Sequence, residues 1–368
     1  MEPSQKGGLA LHFTMKSYRF GIVGSGFMGR THAEAVKRLG PAAAVTAVWG
    51  GQRAAALAQD YGCACVPTLE ELLQRSDVDA VVVTTPHHLH AEQALAALAA
   101  GKHVLIEKPI TTSVADCDRL IAAASRRNLV VATGYHQRFR QNNHRTQRLI
   151  AENAIGQVQT LQVSMPTFLG TIQKGGFGGN WAWWDDPASL GHMINAFPHA
   201  LDLMRWWLDS NPSTVAAFCR TFLPGLKVED TTLALVEFSN GSVASIVSSR
   251  AFPAPPFPGE NFRFRIMGST GLIDLDPLGQ LRLADEKGWR LVCEQPTVGA
   301  EAANTAFADT RMQAFRDQIA SFIDAMEGRK TPADRPVVGS AQDGRVAVEA
   351  CLAMLAGSRE RRWVSLGR

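Results

Sequence analysis

Along the first third of the chain, short apolar runs alternate with segments of helical spacing. Tyr18–Gly24, Ala44–Trp49, Ala80–Thr84, His103–Glu107 and Leu129–Thr133 have the length and apolar or β-branched make-up of strands. Between them, Met28–Leu39, Ala54–Tyr61, an alanine-rich segment from Ala91 and Val114–Arg126 carry apolar residues at helical spacing, and Gly40, Gly62 and Gly101 stop the first three. Thr68-x-x-Glu71 is a capping box, a helix start in which hydroxyl and carboxylate each satisfy a free N–H. Ala80–Thr84 has no polar alternation, the pattern of a strand covered on both faces. Strand alternating with helix predicts a doubly wound parallel sheet.

Beyond Tyr135 the pattern changes. Gln157–Met165, Thr214–Thr221, Thr231–Ser239, Ser242–Arg250, Phe262–Gly268, Leu272–Leu275 and Leu281–Leu283 read as strands without obligatory helices between them. Asn240-Gly241 is a tight hairpin signal. Helical segments at Arg311–Glu327 and Ser340–Leu355 and a short strand at Trp363–Leu366 close the chain. The expected fold class is α/β plus α+β: a Rossmann-like parallel sheet over residues 16–137, then an open, mostly antiparallel sheet with helices over 138–368. Residues 1–15 form an N-terminal extension that reads either as a disordered arm or as sequence ahead of the true start.

Composition narrows the function classes. With 368 residues the chain exceeds the ~250–300 at which single cores stop growing, so two domains are expected. Lys plus Arg, 37, against Asp plus Glu, 34, leaves +3, too balanced for a dedicated nucleic-acid binder. The uncharged stretch from Asn153 to Gln173 is broken by Gln, Thr, Gly and Pro and does not span a membrane. Six scattered cysteines, of which only Cys63 and Cys65 are close, lack zinc spacing and read as reduced thiols of a cytoplasmic protein. No metal is expected.

Gly24-x-Gly26-x-x-Gly29 follows a strand and opens a helix, the context in which this spacing binds a dinucleotide. Gly24 permits the tight turn, Gly26 lets backbone approach a diphosphate, and Gly29 lets helix and strand close up. Phe27 and Met28 then present their N–H groups at the helix N-terminus. The carboxylate that normally closes the second strand and holds a ribose 2′-hydroxyl is missing. The strand ends Trp49-Gly50-Gly51-Gln52-Arg53, where Gly50 and Gly51 leave room for a 2′-phosphate and Arg53, with Arg30 further off, pairs with one. NADP(H) is favoured over NAD(H).

Three further motifs follow successive strands: Thr85-Pro86-His87-His88-Leu89-His90, Glu107-Lys108-Pro109 and Gly134-Tyr135-His136-Gln137-Arg138-Phe139. With the glycine loop they make the chain resemble the Gfo/Idh/MocA oxidoreductases, the glucose–fructose oxidoreductase and inositol dehydrogenase group, from about Lys16 to the C-terminus. The resemblance implies a Rossmann domain and a C-terminal open sheet serving substrate binding and homo-oligomerisation, as dimer or tetramer. It places Lys108 beside the nicotinamide, with a Lys108-Pro109 bond that is commonly cis in the family. Thr85, Pro86, His90 and Glu107 fall on the cofactor side, and His136 and Arg138 on the substrate side.

The family's Asp-x-x-x-His motif corresponds here to Asn195-Ala196-Phe197-Pro198-His199, with Asp202 after it. Asn195 stands in place of the usual Asp and cannot take a proton at neutral pH. The proton of a substrate hydroxyl is therefore assigned to His199 or Lys108, and to His199 first because a lysine must be strongly desolvated to act near pH 7. Asn195 then orients the hydroxyl. Pro198 suits the first turn of a helix, which leaves Asn195 in the preceding loop. Trp181, Trp183, Trp184, Asp185 and Asp186 read equally as a carbohydrate-facing loop, with Trp184 against substrate, or as packing. Gly175–Gly179 reads as a flap or as a plain loop.

The resulting expectation is a nicotinamide-dependent enzyme that passes hydride between cofactor and a secondary alcohol or ketone of a sugar, cyclitol or related cyclic compound. Three rivals stay open: cleavage or processing of glycosides or C-glycosides through transient oxidation by a tightly held cofactor, a dihydrodiol dehydrogenase, and a cofactor-binding regulatory protein.

Overall fold

A computed structural model describes residues 16–168, 184–252, 262–295, 307–332 and 335–367. The N-terminal extension, the Gly175–Gly179 segment, Trp181 and Trp183 lie outside the described residues.

The first layer is a sheet of β1 (Tyr18–Val23), β2 (Ala43–Trp49), β3 (Ala64–Cys65), β4 (Ala80–Val83), β5 (His103–Ile106) and β6 (Val131–Thr133), ordered β6-β5-β4-β1-β2-β3 and parallel throughout. Helices α1 (Phe27–Lys37), α2 (Ala54–Tyr61), α3 (Leu69–Gln74), α4 (His90–Ala99) and α5 (Val114–Arg127) connect the strands. All four residues of β4 are buried, as its uninterrupted apolar run requires. Thr68 caps α3 through the Glu71 N–H at 3.1 Å, but the Glu71 carboxylate turns to the Thr68 hydroxyl at 3.3 Å, so only half of the expected box forms.

The second layer is a nine-stranded sheet built on β7 (Val158–Phe168), β8 (Pro212–Arg220), β9 (Thr231–Phe238), β10 (Val243–Phe252), β11 (Arg263–Gly268), β12 (Leu272–Leu275), β13 (Gln280–Asp285), β14 (Gly288–Glu294) and, near the C-terminus, β16 (Val364–Ser365). Its pairings are antiparallel except β7 with β10. Asn240-Gly241 makes the β9–β10 turn, with Gly241 at φ 87°. One face of the sheet buries Leu161, Val163, Val236, Ile246, Phe264 and Ile266 against a long helix that begins after residue 190.

Three helices tie the layers together. Helix α6 (Gln141–Ala151) escapes a hydrophobic reading because the face it buries is polar. Asn142 Nδ2 donates to the carbonyls of Asp276 and Gly279 at 2.9 and 3.0 Å, and Asn143 Nδ2 to that of Gln137 at 2.8 Å. Helix α7 (Gly191–Leu208) runs through Pro198, so Asn195 lies on the helix and not in a loop before it. Helix α8 (Asp309–Met326) returns to the first layer, packing Met312, Phe315, Ile319 and Phe322 into the core of Phe20, Ala33 and Val36. A two-residue strand β15 (Gly339–Ser340) then adds antiparallel to β6, and α9 (Ala341–Glu360) follows. The C-terminal segment therefore completes the N-terminal layer.

Candidate active site

The glycine loop divides its three positions by the space around them. A side chain at Gly29 would run into the Gly24 carbonyl, and one at Gly24, itself at φ 105°, would press on Thr84. A Cβ on Gly26 would meet nothing within 4 Å. Gly26 precedes α1, whose N-terminus has no side-chain cap and no acidic residue in its first turn. The backbone N–H groups of Phe27 and Met28 thus belong to an uncapped helix start beside open space, the arrangement that receives a dinucleotide diphosphate. The loop is stitched to the end of β2 by Gly24 N to the Trp49 carbonyl at 2.7 Å and Ser25 N to the Gly50 carbonyl at 3.0 Å. Gly50 and Gly51 sit at φ 89° and 81°, and the Arg53 N–H donates to Ser25 Oγ at 3.2 Å. The exposed Arg53 therefore stands at the lip of the glycine loop, whereas Arg30 is paired with Asp60 at 2.7 Å.

Glu107, Lys108 and Pro109 follow β5, and the Lys108-Pro109 bond is cis. Glu107 is buried, with Oε1 on His32 Nε2 at 2.7 Å and Oε2 accepting the Lys108 N–H at 3.1 Å. Burial pushes its carboxyl up, but the hydrogen bond and charge of His32 and the charge of Lys108 outweigh this and hold it below the usual range. Glu107 thus ties α1 to the lysine loop. Gly134 lies against Glu107, where a side chain would crowd its backbone. His90 is also buried and places its two ring nitrogens on the Pro109 carbonyl at 2.9 Å and the Thr85 carbonyl at 2.8 Å, joining the two loops. Burial lowers its pKa, with the carbonyl acceptors pulling the other way. Thr85 is engaged further through Oγ1 to Gln93 at 2.5 Å, and Pro86 leads into the short His87–Leu89 turn. His87 and His88 reach Ser189, just ahead of α7, at 3.3 and 3.4 Å.

Helix α7 presents a stripe of Asn195, His199, Asp202 and Trp206, spaced four, three and four residues apart. Lys108 Nζ donates to Asn195 Oδ1 at 2.8 Å and to the Asn195 carbonyl at 2.9 Å. Pro198, without an N–H, leaves the Ile194 carbonyl, next to Asn195, without its ladder donor. Desolvation pushes the Lys108 ammonium down to about 8, opposed by the Glu107 charge. The His199 ring lies 5.0 Å from that of His136, nearly perpendicular, and Nδ1 has no partner among the described residues. Burial, then the charges of Lys108 and Arg140, hold His199 well below its ordinary range. His136 stacks on Phe315 at 4.1 Å, and burial drives it down as well.

Arg138, expected on the substrate side, has its guanidinium committed elsewhere. Nε donates to Asp202 Oδ2 at 2.8 Å, Nη2 pairs with Asp202 Oδ1, and Asp343 stands at 3.1 Å, with Arg138 and Asp202 both buried. It clamps the 136–139 turn onto α7 and α9. Trp184 meets His192 edge-on at 6.5 Å, one turn ahead of Asn195. The structure therefore joins Lys108, Asn195, His199 and His136, brings Glu107 and His90 in as supports, and commits Arg138 to Asp202 and Asp343.

Sequence reasoning missed three participants. His32 partners Glu107 from the buried face of α1. Arg311 lays its guanidinium over the rings of Phe27 at 4.7 Å and Phe315 at 4.8 Å and donates to Thr31 Oγ1 at 3.2 Å, joining α8 to the glycine loop. Glu229 accepts from the His192 N–H at 3.1 Å and from the Met193 N–H, capping the start of α7 from the loop ahead of β9. Among the described residues there is no cluster of three or more His, Cys, Asp or Glu suited to a metal, and no helix is long and apolar enough to cross a membrane.

Comparison with known proteins agrees with this geometry. The chain is 28% identical over 294 residues to 1,5-anhydro-D-fructose reductase of Ensifer adhaerens, covering 78% of this chain and 86% of that one. It is 29% identical over 343 residues to UDP-N-acetylglucosamine 3-dehydrogenase of Acidithiobacillus ferrooxidans, covering 91% and 98%. The crystal structure of GenD2 from gentamicin A biosynthesis in complex with NAD superposes with a TM-score of 0.79 at 25% identity, covering 100% of both chains. Residues 18–135 match the oxidoreductase family's NAD-binding Rossmann fold and residues 144–274 match the C-terminal domain of the same family. A dinucleotide-binding cradle, a half-buried lysine hydrogen-bonded to the α7 stripe and both domain matches together establish that the chain belongs to the Gfo/Idh/MocA family of oxidoreductases.

Proposed function

We propose that this protein oxidises a secondary alcohol of a sugar or cyclitol, or reduces the matching ketone, with NADP(H) as its preferred cofactor. The observation that carries the reading is the half-buried Lys108 ammonium, held on Asn195 by two hydrogen bonds and near His199 on the same helix. The sugar-directed relatives support the substrate class, and they favour neither the transient-oxidation reading nor the regulatory one. When bound, the nicotinamide supplies the hydride acceptor or donor. Gly26 and the N–H groups of Phe27 and Met28 would hold the diphosphate, and Arg53 with Gly50 the adenosine ribose and its phosphate. Thr85, Pro86 and the His90-braced loop wall the nicotinamide side.

The proton is taken by Lys108. Burial leaves His199 a weak base, while Lys108 at about 8 is part neutral amine near neutral pH, reversing the order expected from unperturbed side chains. Asn195 keeps the amine in place, and His199 hydrogen-bonds the substrate oxygen. In reduction the Lys108 ammonium returns the proton.

The outer face of the second sheet supports assembly. A groove of about 1080 Å³ there is lined by Phe218, Leu233, Leu235, Val247 and Trp363, of which Phe218 is 63% exposed and Leu235 48%. We infer that a second copy of the chain covers this face.

The direct test is a panel of sugars and cyclitols with NADP⁺ and NAD⁺, read by nicotinamide absorbance, with Lys108→Met alongside. Turnover that Lys108→Met leaves intact would sink the catalytic assignment. Tighter NAD⁺ than NADP⁺ binding in a fluorescence titration would overturn the cofactor preference.

A further inference from the structure

Two arginines two residues apart meet opposite fates. Arg138 and Arg140 flank Phe139 at the end of the same short turn, and both are buried. Arg138 has two carboxylates, Asp202 and Asp343. Arg140, 7% exposed, has no ion-pair partner among the described residues. Its Nη1 makes one long hydrogen bond to the Thr310 carbonyl at 3.3 Å, and its Nε is buried with no acceptor. A guanidinium taken out of water with so little in exchange is destabilising unless something outside the chain completes it.

Its surroundings locate what is missing. The turn that ends at Arg140 carries His136, whose ring packs between His199 at 5.0 Å and Phe315 at 4.1 Å. Phe315 also meets the Arg311 guanidinium, next in sequence to the Thr310 that Arg140 bonds. From Lys108 through Asn195, His199 and His136 to Arg140 and Arg311, the groups are cationic or neutral. Among the described residues the nearby carboxylates are engaged: Glu107 bonds His32, and Asp276 accepts from the Leu278 N–H of its own turn at 2.8 Å. Burial and the Arg311 charge push Arg140 down to about 10, with Asp276 too distant to form an ion pair. The Arg140 charge in turn bears on both His136 and His199.

We propose that Arg140 anchors an anionic oxygen group of the substrate, so that this enzyme acts on acidic sugars or cyclitols: those bearing a carboxylate or a phosphate. The inference rests on the oxidoreductase reading of the site and names its substrate class. A planar guanidinium with Nε and one Nη unfilled matches two oxygens of either group, and the energy is charge-assisted.

The experiment compares wild type, Arg140→Gln and Arg140→Lys with NADP⁺ on D-glucose, D-glucuronate, D-gluconate, D-glucose 6-phosphate, myo-inositol and myo-inositol 1-phosphate. Thermal shifts are measured with the same compounds on the cofactor-loaded enzyme. The expected result is at least tenfold higher kcat/KM for a charged compound than for its neutral counterpart. Arg140→Gln should lose about 10- to 100-fold on the charged compound, carried by KM, and at least tenfold more than on the neutral one. Arg140→Lys should recover part of that loss. The carboxylate and phosphate members identify which oxyanion is taken. Removing an uncompensated buried charge should leave the melting temperature of Arg140→Gln at or above that of wild type. A structural arginine would instead lower it. Preference for the neutral compounds, or an equal loss on both classes, overturns the anion site while leaving the oxidoreductase reading standing. If no compound is turned over, stabilisation of wild type but not of Arg140→Gln by a charged compound still supports the site, and equal shifts in both refute it.

Discussion

Asn195→Asp is the sharpest probe of the active-site chemistry. Asn195 Oδ1 accepts from Lys108 Nζ at 2.8 Å, so an aspartate in the same rotamer puts a carboxylate oxygen there. Opposite charge at such range raises a lysine by about 1–3 pKa units, from about 8 to roughly 9–11. If Lys108 takes the proton, kcat/KM for alcohol oxidation should rise about tenfold per pH unit up to about pH 8 in wild type and then level off, because this ratio reports the free enzyme's base. In Asn195→Asp the rising limb should move up by at least about one unit, with an oxidation rate near pH 8 several-fold lower and largely recovered at alkaline pH. The assay is steady-state oxidation from about pH 6 to about pH 11 at saturating cofactor, with Lys108→Met as control, expected to lose about 10²–10⁴ together with the limb. Were His199 the acceptor, the limb would lie below the usual imidazole range, since burial and the Lys108 charge both lower that ring. A limb that stays in place in Asn195→Asp, or one that His199→Asn removes and Lys108→Met does not, refutes the assignment to Lys108.

Three further outcomes are expected. Arg138→Met leaves Asp202 buried without its partner and should cost about 3–5 kcal/mol in denaturant unfolding, most of it regained in Arg138→Met with Asp202→Leu; a loss under about 1 kcal/mol would contradict the clamp. Glu229, raised by burial from 4.5 to about 7, binds more protons folded than unfolded between those values. Its contribution is therefore fully present below about pH 4.5 and is lost as pH rises through about 7, roughly 3 kcal/mol in all; Glu229→Gln should remove that slope, read as the change in stability relative to wild type between about pH 5 and about pH 7.5. Gly26→Ala should keep the melting temperature while weakening NADP⁺ binding, whereas Gly29→Ala, which meets the Gly24 carbonyl, should lower both.

What the sequence discloses follows the physics of each element. The strands β1, β4 and β5 and the helices α2 and α5 are marked by apolar period and glycine or asparagine stops, so they are legible within a residue or two. Helix α6 is not, because Asn142, Asn143 and Thr146 are buried through hydrogen bonds to distant loops, and no local pattern announces such partners. The continuation of α7 through Pro198 depends on packing against the second sheet, which outweighs the proline's local preference. The site shows the same division. Lys108, Asn195 and His199 sit in short motifs and can be named in advance, but His32, Glu229 and Arg311 reach the site from other elements. Arg138 shows why motif membership alone misleads: whether an arginine faces substrate depends on whether the fold supplies a carboxylate, and Asp202 lies 64 residues away.

That dependence on charge balance also explains the asparagine. An aspartate at 195 would stabilise the Lys108 ammonium and keep it from releasing its proton near neutral pH. Glu107 does this only in part: its charge raises the lysine, but its oxygens bond His32 and the Lys108 backbone N–H and not the ammonium. With no carboxylate at 195, desolvation outweighs the Glu107 charge and lowers the Lys108 pKa toward neutral pH. In the proposed mechanism, the asparagine that looks like the loss of a catalytic acid is what lets the lysine serve as the base. A developing alkoxide next to Lys108 would also meet no neighbouring carboxylate at 195 to repel it, which lowers the barrier to the same step.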